Sequence, residues 1–293
     1  MSKITTIIVA KGNPKYIFET INSVEKISAE IIVVDIGLDK NTSEKLQKTS
    51  KLKIIEEKSV LYVEEIREKT KTYSKTEYIL FIDPDEILPS KLQEELLAQY
   101  DKYDYLSMPR KNIIFGKWIS NARWFPDYQT RLFKKDAVVW SNKLHSQPEK
   151  TGLELLLPEN EELAIIHYNY ESLDEFMLKM IRYAKADASN RSNYSIAKAL
   201  ADGTQEFISR YFAFDGYKSG MHGFALSFLQ LLYYPLVYFY FWEGKKYQNE
   251  EDKKITTSYI DFVKKLLHDS LYWGGRKDLL SIKDKFIRFF LKK

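Results

Sequence analysis

Two apolar runs, Glu30–Val34 and Tyr78–Ile82, each deliver the chain to an aspartate, Asp35 and Asp83. Strands of this kind are buried on both faces, and they occur in parallel sheets covered by helices. Helical patterns lie between them. Asn13–Val24 carries Pro14 in its first turn, where a missing N–H costs nothing. Asn41–Thr49 opens with the cap candidates Asn41, Thr42 and Ser43. Val63–Tyr73 is the third helix, and Ile4–Val9 and Leu52–Glu56 complete the strands. The predicted fold class is α/β, a sheet flanked by helices. Ligands bind such sheets at the carboxyl ends of the strands, where Asp35 and Asp83 fall.

Composition narrows the chemistry. The 293 residues include no cysteine, which excludes disulfides, cysteine-ligated zinc and thiol nucleophiles. Hydrophobic residues at 44% and charged residues at 29% describe a chain that folds. The opening apolar run is too short for a signal-peptide core and reads as a strand, so synthesis without export is expected. Net charge is +4, but unevenly spread. Residues 276–293 hold seven basic and two acidic side chains, or +5, leaving −1 for everything before them. A basic end beside aromatic residues points to an anionic surface, and the apolar run preceding it favours lipid over nucleic acid.

The organisation expected is a catalytic domain over 1–170 and a helical region over 171–293. The first divides into a nucleotide-sugar half, 1–100, and an acceptor half, 101–170, with strand-like runs at Ala137–Trp140 and Leu163–His167. Ser172 and Glu175 form a capping box opening a helix. Residues 224–242 carry no charge and approach the roughly 20 residues that span a bilayer. Pro235 and the many aromatic residues favour a membrane-lying or re-entrant segment over a buried core helix or a true span. Residues 276–293 read as a basic amphipathic tail, either interfacial or packed on the domain.

The segment Phe81–Glu86, FIDPDE, carries the chemistry. Asp83 and Asp85 on one turn repel each other unless a cation sits beside them. Mn²⁺ or Mg²⁺ suits carboxylate oxygens and shares its other positions with phosphate oxygens. A plain acidic turn is the alternative.

The order of motifs resembles the inverting family-2 glycosyltransferases of GT-A fold, a Rossmann-like nucleotide-diphospho-sugar transferase architecture. Asp35, Gly37 and Asp39 follow the second strand, Arg67 precedes Asp83 by sixteen positions, and Asp83, Asp85 and Glu86 follow the hydrophobic strand. The resemblance implies that Ala10, Lys11 and Gly12 line the base through their backbone and that Asp35 accepts from base or ribose. It implies that Arg67 contacts the nucleotide, Asp83 the ribose or sugar, and Asp85 the metal. The first loop departs from the family pattern: Lys11-Gly12-Asn13 stands where a polar pair such as Asn-Glu is usual.

Further along, Arg110-x-Asn112, Trp124-x-Pro126-Asp127, Arg131-Leu132-Phe133 and His145 look like the bacterial lipopolysaccharide-core beta-1,4-glucosyltransferase subgroup. The glycine-containing stretch Tyr211–Phe224 also matches it. Asp127 is the expected general base, His145 a further metal ligand, and Arg131 a contact to diphosphate. Asp127 could instead only pair with Arg131 or Arg123, and His145 could be a core histidine. Trp118 and Trp124 could stack on a sugar or pack in the core, and His167 reads as structural.

The function implied is metal-assisted transfer of a hexose from a UDP-sugar to a lipid-linked or lipopolysaccharide-like glycan, at the inner face of the plasma membrane. The alternative is a degenerate nucleotide-sugar-binding or membrane-scaffolding protein, which Asp85→Ala would leave unaffected. A nucleotidyltransferase would need a glycine-rich phosphate loop that Ala10–Asn13 does not supply.

Overall fold

The computed structural model describes residues 3–49, 52–60, 63–140, 148–249 and 251–285. The chain forms two units, 1–113 with 126–169, and 114–125 with 170–293. Residues 114–125, from the expected acceptor half, therefore sit with the helical region.

The first unit is built on a seven-stranded sheet. Its strands are β1 (Ile4–Gly12), β2 (Glu30–Leu38), β3 (Leu52–Glu56), β4 (Tyr78–Phe81), β6 (Tyr105–Met108), β9 (Gln129–Lys134) and β12 (Glu154–Leu156), in the order β12-β6-β9-β4-β1-β2-β3. β1 pairs in parallel with β2 and β4, β2 pairs in parallel with β3, and β9 runs antiparallel to β4 and β6. Three adjacent carboxyl ends, of β4, β1 and β2, therefore open on one edge. Strand alternation sends Ile4 and Ile8 to one face and Ile7 and Val9 to the other. Helices α1 (Ile17–Val24) and α4 (Ser90–Gln99) cover the first face through Ile17, Ile21, Leu92 and Leu96, and α3 (Glu64–Thr70) meets the second through Ile66. The expected α/β architecture is present.

Two helix starts differ from the sequence reading. α1 begins at Ile17 because Tyr16 leaves helical geometry, with φ −103° and ψ 10°. α2 (Lys40–Gln47) begins early because Asp39 takes the cap, accepting from the Thr42 N–H at 3.0 Å.

A smaller sheet matters more for the site. β5 (Glu86–Ile87), β13 (Ile165–Tyr170) and β7 (Arg110–Ile114) lie side by side, with His167 in register with Glu86. The short strands β8 (Lys117–Trp118), β10 (Val138–Val139) and β11 (Glu149–Lys150) complete the set.

The second unit contains α5 (Leu173–Ser189), α6 (Ile196–Ile208), α7 (Met221–Gly244) and α8 (Asp252–Arg276). Ser172 caps α5, accepting from the Glu175 N–H at 3.1 Å, while the Glu175 carboxylate accepts from the Glu171 N–H. α7 runs unbroken through Pro235 and is long and apolar enough to cross a bilayer. Met221, Phe224, Phe228, Leu232 and Phe239 are exposed along it. Proline lacks an N–H, so the Leu231 carbonyl loses its helical donor. α6 packs there: a Cβ added to Gly203 would stand 2.6 Å from that carbonyl oxygen. Gly203→Ala should therefore force α6 and α7 apart and cost about 1–3 kcal/mol, read as a lower midpoint in urea unfolding. An unchanged midpoint would show that the helices are loosely packed.

Residues 276–285 of the expected tail are partly committed. Lys277 pairs with Asp215 at 2.6 Å and Lys285 with Asp278 at 3.0 Å. With Lys218, Lys277 holds the Asp215 carboxyl down to about 2 by hydrogen bonding its charged form. Residues 286–293 lie outside the described residues.

Candidate active site

The three strand ends bring the expected donor residues together. Ala10 is aligned with Asp35 across the β1–β2 pair. Gly12 (φ +68°) and Gly37 (φ +119°) let the ends of β1 and β2 turn in a region that side chains disfavour. A Cβ at Gly37 would lie 3.9 Å from Lys11 Cγ, so the two ends abut. The Asp35 Oδ1 accepts from the Gly37 and Leu38 N–H groups at 2.8 and 2.7 Å. Asp35 thus shapes its own turn with one oxygen and has its second, Oδ2, to offer a ligand.

Asp83 follows β4 and meets two arginines. Arg67 from α3 donates to its Oδ1 at 3.0 Å, and Arg131 from β9 donates to its Oδ2. Burial alone would raise the Asp83 pKa, but Arg131, Arg67 and Arg110 hold it well below the usual carboxylate range. Arg131 is buried at 2% exposure and also donates to Glu86 Oε1 at 2.5 Å. The Glu86 side chain is fully buried. Its Oε2 accepts from the Asp83 N–H at 3.0 Å, and Arg110 reaches its Oε1 at 3.2 Å. Buried charges require partners of this kind. Arg131 is thereby committed to the acidic turn.

Asp127 belongs to the same network through Arg110, and neither Arg131 nor Arg123 is its partner. Its Oδ2 accepts from Arg110 Nε at 2.9 Å, Arg110 Nη2 at 2.5 Å and Asn112 Nδ2 at 3.1 Å. Its Oδ1 accepts from Gln129 Nε2 at 3.0 Å. Arg123 pairs with Glu206 instead. The order Arg67, Asp83, Arg131, Glu86, Arg110, Asp127 alternates sign at every step and links the donor turn to the expected base.

His145 lies outside the described residues. His167, expected to be structural, approaches Asp85: its Nε2 is 3.7 Å from Asp85 Oδ2. No three metal-ligating side chains converge among the described residues. Asp85 offers a carboxylate oxygen, the donor type that Mn²⁺ and Mg²⁺ prefer, and His167 one imidazole nitrogen, so these two donors alone fill only part of a divalent cation's coordination. Trp124 packs against the second unit's core and meets Tyr170 edge to face, and Trp118 meets Phe125 likewise.

Residues 5–147 match the family described as Glycosyl transferase family 2. An uncharacterized glycosyltransferase of Rickettsia bellii (strain RML369-C) is 28% identical over 254 residues, covering 78% of this chain and 85% of the relative. One from Rickettsia felis is 27% identical over 259 residues, covering 79% and 89%. Among solved structures, S. aureus TarS 1-349 in complex with UDP is similar with a TM-score of 0.42 and 16% identity, over 92% of this chain and 81% of that one. A longer S. aureus TarS structure is similar with a TM-score of 0.40 and 18% identity, over 75% of this chain and 46% of that one. The family match over residues 5–147 and the two glycosyltransferase relatives together support a glycosyltransferase.

Proposed function

We propose that the chain is an inverting hexosyltransferase using a UDP-sugar and a lipid-linked or lipopolysaccharide-like acceptor. The resemblance to the lipopolysaccharide-core glucosyltransferases supports the acceptor class. The observation that carries the reading is the network joining Asp83 to Asp127, which sets a donor turn and a carboxylate in one rigid frame. Ala10, Lys11, Gly12 and Asp35 hold the nucleoside, and Arg67 and Asp83 border the ribose or sugar. Asp85 and His167, with His145 as a further candidate, would hold a divalent cation, which offsets charge on the leaving diphosphate. Asp127 takes the acceptor hydroxyl proton on Oδ1, since Oδ2 already accepts from three donors. The acceptor oxygen then bonds to the anomeric carbon as the bond to diphosphate breaks, and configuration inverts. Assays with UDP-hexoses should show transfer that needs Mn²⁺ or Mg²⁺ and falls about 10²-fold or more in Asp85→Ala. Full activity in EDTA would refute the metal assignment.

The site of action in this proposal is the inner face of the plasma membrane, with the protein peripheral and cytoplasmic. Met221, Phe224, Phe228, Leu232 and Phe239 fall on one strip of α7 at 3.6 residues per turn, and Lys245 and Lys246 follow it. Phe228→Asp with Leu232→Asp should abolish co-sedimentation with phosphatidylglycerol vesicles. Equal sedimentation of the variant and the wild type would remove α7 from the membrane account.

A further inference from the structure

Asn112 follows Arg110 by two residues on β7. Asn112 on β7 is fully buried, at 0% exposure. Its Nδ2 donates to Asp127 Oδ2 at 3.1 Å. Its Oδ1 lies 2.6 Å from His167 Nδ1 and accepts from Asn169 Nδ2 at 3.3 Å. The two ends of this amide thus touch the expected base on one side and the histidine beside Asp85 on the other.

The chemistry fixes which end is which. An ionised carboxylate only accepts, so the amide NH₂ must face Asp127. The carbonyl oxygen then faces His167, and an acceptor at 2.6 Å requires a proton on Nδ1. A neutral imidazole holding its proton on Nδ1 presents a lone pair at Nε2. That nitrogen faces Asp85 Oδ2 at 3.7 Å. With the ring neutral, that lone pair and the Asp85 carboxylate oxygen are two donors that one cation can share. Histidines that ligate metals commonly donate their other ring N–H to an oxygen acceptor, which sets tautomer and ring orientation.

We infer that Asn112 is a positioning residue: it holds His167 in the Nδ1–H tautomer, so that Nε2 with Asp85 receives a divalent cation, and with the same amide orients Asp127. Arg110 and Asn112, two residues apart on one face of β7, clasp the same Asp127 oxygen, and only Asn112 also reaches the metal side. The inference rests on the proposed metal and base roles, but its first consequence is independent of both.

That consequence is read in the metal-free wild type by long-range ¹H–¹⁵N correlation of the imidazole nitrogens. The chain has four histidines, so a His167→Gln spectrum assigns the signal. His167 is expected to be protonated at Nδ1 and bare at Nε2. A wild-type Nε2–H tautomer overturns the proposal without any Asn112 variant, which covers the case in which such a variant fails to fold. In Asn112→Ala the Nδ1–H preference should be lost, and Mn²⁺ affinity in the presence of UDP should weaken about 10–100-fold. Asn112→Ser, which keeps an oxygen at the position, should recover part of both. An Ala variant with unchanged tautomer and unchanged Mn²⁺ affinity also overturns it. If instead Asp85→Ala and His167→Gln leave sugar transfer intact, the metal-assisted mechanism fails while the tautomer result stands.

Discussion

Asp127→Asn is expected to lower kcat for sugar transfer by about 10³-fold while leaving UDP affinity within a factor of about two. Asparagine keeps the shape and can still accept from Arg110, but it cannot take a proton from the acceptor hydroxyl. Asp127 stands at the far end of the charge chain from Arg67, and its side-chain partners are Arg110, Asn112 and Gln129. Initial rates against acceptor, with UDP titrations of the same preparation, separate the two effects. If UDP binding collapses with kcat, Asp127 is a structural member of the network and the base lies elsewhere.

Arg131→Met should be the most damaging change to stability in the first unit. It removes the donor shared by Asp83 and Glu86 and leaves the fully buried Glu86 with one arginine contact, to Arg110 at 3.2 Å. Breaking a buried pair by removing one partner costs about 3–5 kcal/mol. For a protein of this size the thermal midpoint should fall by about 10 °C. The acid side should change too. A carboxylate with a depressed native pKa contributes fully above its ordinary value, here 3.8, and that contribution is lost as pH falls below it. Without Arg131 the Asp83 pKa moves back toward 3.8, so acid unfolding of the variant should begin at a higher pH. A variant as stable as the wild type at neutral pH, with the same acid transition, would show that Arg131 is not the core of the network.

The donor half of the site was legible in the sequence because strand ends follow from hydrophobic runs. Tyr78–Ile82 places the end of β4 to within a residue, just before Asp83, whereas β2 runs on past Asp35 to Leu38, and the parallel sheet sets both aspartates toward the same edge. The acceptor half was legible only as residue types. Arg110, Arg123 and Arg131 all lie near Asp127 in sequence, and the choice among them depends on how β5, β13 and β7 lie together. Those strands are short and polar, with no hydrophobic period that fixes their pairing. His167 was passed over for the same reason. Its signal is the alternation in Ile165–Tyr170, which puts His167 and Asn169 on one face, and that is uninformative until Asn112 is known to lie opposite. The unbroken course of α7 through Pro235 was hidden too, because the sequence does not reveal that Gly203 packs against the freed carbonyl.

The central claim is that the edge formed by β4, β1 and β2 binds a uridine diphosphate sugar. Calorimetric titration of UDP in Mn²⁺ into the wild type, Asp35→Ala and Asp85→Ala tests it directly. Saturable one-to-one binding by the wild type, weakened about tenfold or more in each variant, is predicted, since each loses one good contact of about 1.4 kcal/mol. Absence of UDP binding to the wild type, or equal affinity in all three proteins, would contradict it.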